Sequence, residues 1–114
     1  MRIQDVESKT GLDRATIRFY EKEQLITPRR HDNGYRSYSD DDVSLLLKVK
    51  LLRQLGLSLA KIKNLQQGSE AFSDILSQQV EVLSKQIDND MAAKEVCLTM
   101  QQERVSYDSL DSVR

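Results

Sequence analysis

The chain has 114 residues, which is enough for one small globular domain and an appendage but not for two full domains. No apolar stretch approaches the roughly 20 residues that span a bilayer, and the first residues lack the pattern of a secretory signal. The single cysteine, Cys97, excludes an intramolecular disulfide and fits a reducing compartment. We therefore expect a cytoplasmic protein with a modest core.

The net charge of −1 hides an uneven distribution of charge along the chain. Residues 1–63 carry thirteen Lys and Arg against nine Asp and Glu, whereas residues 64–114 carry four against nine. A basic first half and an acidic second half are typical of a nucleic-acid binder with a separate segment that does not touch the nucleic acid.

The first residues predict two short helices joined by a tight turn. Residues 3–9 form an amphipathic pattern, and Gly11 supplies the positive φ that such a turn requires. Asp13 is placed to cap a second helix over residues 14–23. Two short helices around a glycine-containing turn indicate a helix-turn-helix.

The second helix has one apolar side and one basic side. Ile17 and Tyr20 lie three residues apart and can share a core-facing side, with Leu25 just beyond the helix end. The remaining surface carries Arg14, Thr16, Arg18 and Lys22.

A β-hairpin is predicted over residues 28–38. Asn33-Gly34 indicates a two-residue turn, because both positions tolerate the positive φ that such turns need. An arginine side chain can make a bidentate contact to phosphate, and a tyrosine hydroxyl can make a single one. The flanks of this wing carry Arg29, Arg30, His31, Tyr35, Arg36 and Tyr38.

Two further helices follow the wing. Ser39 is placed to cap the first, which begins with three aspartates and ends at Gly56. Its predicted core face comprises Val43, Leu46, Leu47, Val49, Leu51, Leu52 and Leu55. Ser58 caps a fourth helix over residues 60–66, with Lys61 and Lys63 near its start and Gly68 at its end.

Residues 69–105 contain no Gly or Pro and predict one long helix. Its apolar positions fall mostly three, four or seven apart, with Asp90 and Lys94 interrupting the pattern. The seam comprises Leu76, Val80, Leu83, Ile87, Met91 and Leu98, flanked by Ile75, Val82 and Val96. The small preceding domain cannot bury this helix, so we expect a homodimer, with folding onto a further C-terminal domain as the alternative.

Residues 10–38 and the following Gly-Leu-Ser-Leu-Ala-Lys-Ile-Lys at 56–63 resemble the signature of the MerR family of bacterial transcriptional regulators. The resemblance is close over residues 1–67. Over residues 69–105 it lies in the presence of a long helix, which corresponds to the dimerisation helix of the family. It implies a mainly α fold: a winged helix-turn-helix domain over 1–68 and an antiparallel coiled-coil dimerisation helix over 69–105. The polar tail over 106–114 is interpreted as the start of a missing effector region, with regulation by another route as the alternative. It also implies a dimer that binds a pseudo-palindromic promoter site, bends and untwists it, and so controls access of RNA polymerase.

The resemblance also implies roles for individual residues. Arg14, Thr16 and Arg18 would lie nearest base edges and phosphates in the major groove, with Arg18 as the most important residue. Phe19 and Tyr20 resemble the family's aromatic pair, and Phe19 replaces the tyrosine that is common at its position. The wing residues would hold backbone phosphate, and Lys61 would add to them.

Three other functions fit the sequence less well. A coiled-coil interaction module leaves the arginine-rich wing unexplained, and an architectural or excisionase-like winged-helix protein leaves the long pairing helix unexplained. An enzyme is not expected, because no nucleophile–base pair, phosphate loop or carboxylate pair is visible. We expect no cofactor and no metal. Cys97 is read as a small buried side chain, with a thiol sensor as the alternative.

Overall fold

A computed structural model describes residues 1–112; the last two residues of the predicted tail lie outside the described residues. The chain divides into two units, Met1–Ile75 and Leu76–Arg114. Among the described residues, no helix is long and apolar enough to cross a membrane.

The first unit opens with two helices, α1 (Ile3–Thr10) and α2 (Arg14–Lys22), as predicted. Gly11 ends α1 at a φ of 73°, and a Cβ there would lie 2.8 Å from the Nζ of Lys50. Asp13 caps α2, because its carboxylate accepts a hydrogen bond of 2.8 Å from the backbone N–H of Thr16. The hydrogen bonds from Thr16 hold the pKa of Asp13 below its usual value.

The hairpin is present, but its turn differs from the prediction. Strands β1 (Arg29–Arg30) and β2 (Arg36–Ser37) are antiparallel, with Arg30 opposite Arg36. The carbonyl of His31 accepts from the N–H of Gly34 at 2.9 Å, and only Gly34, at 85°, has a positive φ in this turn. The prediction of a two-residue turn with positive φ at Asn33 was therefore wrong; one glycine in the left-handed region closes a three-residue loop.

Helix α3 (Asp40–Gln54) begins at the predicted cap. The hydroxyl of Ser39 accepts from the N–H of Asp42, whose carboxylate accepts from the N–H of Ser39 in return. Its core face is narrower than predicted. Of the seven residues predicted to form this face, Leu52 is half-buried, and three are exposed: Leu47, Leu51 and Leu55. These three recur every four residues and form a second stripe, beside the one that packs into the domain.

Helix α4 (Leu59–Gln67) is capped by Ser58 and ends at Gly68, which has a φ of 72°. The core of the first unit lies between these helices and the base of the wing. Its buried apolar side chains are Val6, Ile17, Tyr20, Leu25, Ile26, Tyr38, Val43, Leu46, Val49, Leu57, Ile62 and Ile75.

The long helix α5 spans Phe72–Gln102, three residues shorter than predicted at each end. Its start follows the left-handed turn at Gly68, and beyond its end Arg104 has a positive φ of 54°. Ile75, predicted to flank the dimer seam, is instead buried in the core of the first unit. A 3₁₀ helix, Tyr107–Ser112, follows α5 in the second unit.

Candidate nucleic-acid interface

Helix α2 is anchored by two side chains and presents the others to solvent. Ile17 is fully buried and Tyr20 is 7% exposed, so the predicted core side of α2 is confirmed. Phe19 is 45% exposed, with its ring centroid 5.8 Å from that of Tyr20. The other predicted contact residues of α2 are exposed or half-buried: Arg14, Thr16, Arg18 and Lys22.

Three of the predicted DNA-contacting cations form ion pairs within the protein, and Arg14 and Lys61 are two of them. Arg14 donates to Glu7 on α1 at 3.2 Å, which joins the two helices of the helix-turn-helix. Lys61 donates to both carboxylate oxygens of Glu70 at 3.1 Å. Because these pairs are partly exposed, they orient the side chains more than they stabilise the fold.

The tip of the wing presents its polar side chains to solvent. Tyr35 is 72% exposed, and Arg29, Arg30 and His31 are exposed as well. The N–H of Tyr35 donates to the side chain of Asn33 at 3.1 Å, which supports the turn. Four of the wing residues that the sequence predicts as phosphate contacts, Arg29, Arg30, His31 and Tyr35, therefore lie at the surface.

Arg36 ties the wing to the second helix. Its Nε donates to Oε1 of Glu21 on α2 at 2.8 Å, and both side chains are largely buried, at 31% and 14% exposed. A guanidinium has five N–H donors, so this contact leaves four for other acceptors. The pair therefore orients Arg36 without using its terminal nitrogens.

Tyr38, predicted as a phosphate ligand, is only 2% exposed. Its backbone N–H donates to the carbonyl of Met1 at 2.8 Å, which brings the first residues of the chain to the end of the wing. Its hydroxyl is buried and has no hydrogen-bond partner among the described residues. Burial and the carboxylate of Glu21 raise the pKa of Tyr38, while Arg36 and Arg18 act in the opposite direction.

These contacts create a groove of about 300 Å³ between α1, α2 and the wing. Arg18, Arg36, Tyr35 and Tyr38 line it. Arg2 also lines it, although the sequence does not predict Arg2 as a DNA contact. No Asp or Glu is among its lining residues. The backbone contact of Met1 with Tyr38 joins residues 37 apart, so no local pattern could have placed Arg2 beside the wing.

The predicted dimer seam lies on α5 in the second unit. All six of its side chains are exposed in the single chain, with exposed fractions from 37% to 63%: Leu76, Val80, Leu83, Ile87, Met91 and Leu98. Cys97, read as a small buried side chain, is exposed in the single chain as well. Among the described residues, no three His, Cys, Asp or Glu side chains group in a way that could hold a metal ion.

Two helices joined by a glycine turn, followed by an arginine-rich hairpin, define a winged helix-turn-helix domain. A family model described as "MerR HTH family regulatory protein" matches residues 1–69. Because this match covers more than half of the chain, the chain belongs to the MerR family.

Curated relatives agree with the family model. The HTH-type transcriptional regulator CueR of Yersinia pestis is 46% identical over 66 residues, which are 57% of this chain and 48% of that protein. The HTH-type transcriptional regulator YfmP of Bacillus subtilis (strain 168) is 42% identical over 71 residues, which are 60% and 51% of the two chains. The chain thus spans about half the length of these relatives.

Solved structures share the fold over nearly the whole chain. The N-terminal part of MtaN, the Bacillus subtilis multidrug transporter activator, has a TM-score of 0.73 and 26% identity, covering 93% of this chain and 99% of that chain. EcmrR, in the structure of the EcmrR–DNA complex in EcmrR-RPo, has a TM-score of 0.74 and 27% identity, and the match covers 92% of this chain and 41% of that chain.

Proposed function

We propose that the protein is a sequence-specific, DNA-binding transcriptional regulator of the MerR type. The observation that carries this proposal is the basic surface formed together by α2 and the wing, with a groove that three arginines and no carboxylates line. The relatives are named as transcriptional regulators, and EcmrR was solved bound to DNA. We assign the protein the same non-enzymatic role, in the bacterial cytoplasm.

The side chains on the exposed side of α2 contact the DNA bases. This helix is nine residues long and anchored by Ile17 and Tyr20, so it can enter the major groove as a rigid unit. Arg14 and Thr16 in its first turn, with Lys22 in its last, are the groups we place nearest the DNA.

The wing supplies the contacts to the DNA backbone outside the recognition helix. Arg29, Arg30, His31 and Tyr35 are exposed there, and none is buried against the core. Lys61 adds a contact when it exchanges Glu70 for phosphate. Such contacts fix the position of a protein on DNA and do not read sequence directly.

The protein acts as a homodimer paired through α5. The seam presents six large apolar side chains to solvent in the single chain, and pairing with a second copy removes them from water. Two domains held at a fixed separation bind a pseudo-palindromic promoter site. Bending a site costs on the order of 1–6 kcal/mol, which two sets of wing contacts offset as they untwist the spacer for RNA polymerase.

A selection experiment tests this proposal. The wild-type protein is mixed with a pool of random DNA duplexes, and bound duplexes are recovered and sequenced over several rounds. We expect enrichment of an inverted repeat with one half-site for each α2. Absence of enrichment, or enrichment of a single unrepeated site, would contradict the proposed dimeric regulator. Arg36→Ala serves as the matched variant, because it should lower recovery without changing the selected sequence.

A further inference from the structure

The apolar seam of α5 is symmetric about the middle of the helix. Ile87 is the middle residue of α5 and belongs to the seam. Four other seam residues form two pairs at equal distances from it: Leu83 with Met91, four residues away, and Leu76 with Leu98, eleven residues away. In an antiparallel pair of α5 helices centred on Ile87, each of these side chains therefore faces an apolar side chain of the second copy.

A slip of one heptad from this centre leaves seam residues without an apolar partner on α5. In one direction Leu98 lies opposite Ser69, and in the other Leu76 lies opposite Val105. Both Ser69 and Val105 lie outside α5. The centre at Ile87 therefore pairs the helix over its whole length.

One position breaks the apolar symmetry. Val80 lies seven residues before Ile87, and Lys94 lies seven residues after it. Seven residues make about two turns, so Lys94 lies on the face of the seam, with Asp90 one turn before it. Within residues 1–112, the side chains of Asp90 and Lys94 form no hydrogen bond and no ion pair. Two charges thus interrupt the seam and do not neutralise each other in the single chain.

These two charges distinguish a parallel pair from an antiparallel one. In a parallel pair in register every residue faces its own copy, so two Lys94 ammonium groups and two Asp90 carboxylates would meet. Like charges that face each other in an apolar seam are unfavourable. In the antiparallel pair centred on Ile87, Lys94 faces Val80 of the second copy. Its methylene groups cover that side chain while its ammonium group stays in water.

We infer that Asp90 and Lys94 select how the chain pairs: with a second copy of itself, antiparallel, and with the two-fold axis at Ile87. The inference rests on the proposed dimer and adds the position of the axis and the residues that exclude other pairings. A charged residue in the seam of a coiled coil costs stability and specifies register. This register places the starts of the two α5 helices about 45 Å apart, at opposite ends of the pair.

Engineered cysteines test the register. In a Cys97→Ser background, the single variants Ile87→Cys and Leu83→Cys and the double variant Leu83→Cys/Met91→Cys are oxidised with copper phenanthroline and separated on non-reducing gels. We expect Ile87→Cys and the double variant to cross-link as dimers. Leu83→Cys alone should stay uncross-linked, because its two copies lie about 12 Å apart along the axis and a disulfide needs Cα atoms within about 7 Å. Cross-linking of Leu83→Cys as efficient as that of Ile87→Cys would indicate a parallel pair and overturn the inference.

Replacing the charges tests their role. Asp90→Leu/Lys94→Leu, added to the Leu83→Cys variant, should increase its cross-linked fraction at least about tenfold, because parallel pairs are no longer excluded. Glu81→Leu/Lys85→Leu is the matched control, since it removes one charge of each sign from α5 outside the seam. The control should leave the cross-linked fraction unchanged. An equal effect of both double variants, or no effect of Asp90→Leu/Lys94→Leu, would show that the two charges do not select the pairing.

The outcomes separate this inference from the proposed function. If Ile87→Cys cross-links as expected but the wild type selects no DNA, the pairing stands and the proposed regulator fails. If the wild type selects an inverted repeat but Leu83→Cys cross-links by itself, the regulator stands and the register fails. A wild type that sediments as a single chain would overturn both the proposed dimer and the register.

Discussion

Glu21 on the second helix and Arg36 on the second strand of the wing are joined by a hydrogen bond of 2.8 Å between Oε1 and Nε. This contact connects the helix that we propose enters the major groove with the hairpin that we propose contacts the DNA backbone. The two parts of the proposed interface therefore have a defined relative position before DNA arrives. Preorganisation of this kind lowers the cost of binding.

Glu21→Ala should reduce the preference of the protein for its selected site over scrambled DNA by about tenfold. The variant frees Arg36 from its position while it removes a negative charge, so binding to scrambled DNA should stay equal or become tighter. Fluorescence anisotropy with both duplexes measures the ratio. Glu21→Gln keeps an acceptor for Nε and should recover most of the preference. An unchanged preference for the selected duplex would show that the Glu21–Arg36 contact does not set the position of α2 against the wing.

Arg18→Ala should weaken binding to all sequences and lower the slope of log K against log salt by about 1. The sequence placed Arg18 near base edges and phosphates, and its position in the groove beside the wing favours the phosphate role. Salt titration of the variant on the selected duplex and on single-base substitutions checks this. If the variant instead has a relaxed base preference and an unchanged salt slope, Arg18 contacts bases and not phosphate.

Tyr38→Phe should raise the free energy of unfolding by about 1 kcal/mol at neutral pH, because it removes a buried hydroxyl that has no partner. The pKa of Tyr38 is raised above 10.0 in the folded state, so the folded protein holds this proton more tightly than the unfolded chain. The part of the folding free energy that comes from this tighter hold on the proton is fully present below pH 10 and is lost as the pH rises through the folded pKa. Urea denaturation at pH 7 and above pH 10 measures how much free energy of unfolding is lost at alkaline pH. This loss should be smaller for the variant than for the wild type. A lower stability at neutral pH would mean that the hydroxyl has a stabilising partner.

Leu83→Glu should dissociate the dimer, because it places a charge in the centre of the apolar seam. Sedimentation equilibrium should give about twice the 13.1 kDa of one chain for the wild type and about one chain for the variant. Lys85→Glu changes charge about half a turn away from the seam and serves as the control. Dimers that persist in Leu83→Glu at micromolar concentration would place the pairing surface elsewhere.

Local signals in the sequence predicted most of the first unit. Gly11, Asp13, Ser39 and Ser58 each act through atoms within a few residues, and the structure shows each at its predicted cap or turn. The turn of the wing was predicted one residue too short, because Asn33-Gly34 fits both a two-residue turn and a three-residue loop closed by one glycine.

Features that depend on distant contacts were not predictable. Tyr38 reads as a wing residue in the sequence, yet packing against the helices buries it. Leu47 continues the apolar pattern of α3 but lies on the side that the small domain does not cover. Arg2 enters the groove through a backbone contact across 37 residues, which no periodicity reports.

The most direct test of the central claim is a salt-titrated anisotropy measurement of the wild-type protein on its selected duplex, with a scrambled duplex as control. We predict two chains per duplex, affinity for the selected site at least about a thousandfold above the control, and a steep fall with salt. Equal weak binding to both duplexes, or one chain per site, would contradict a sequence-specific dimeric regulator.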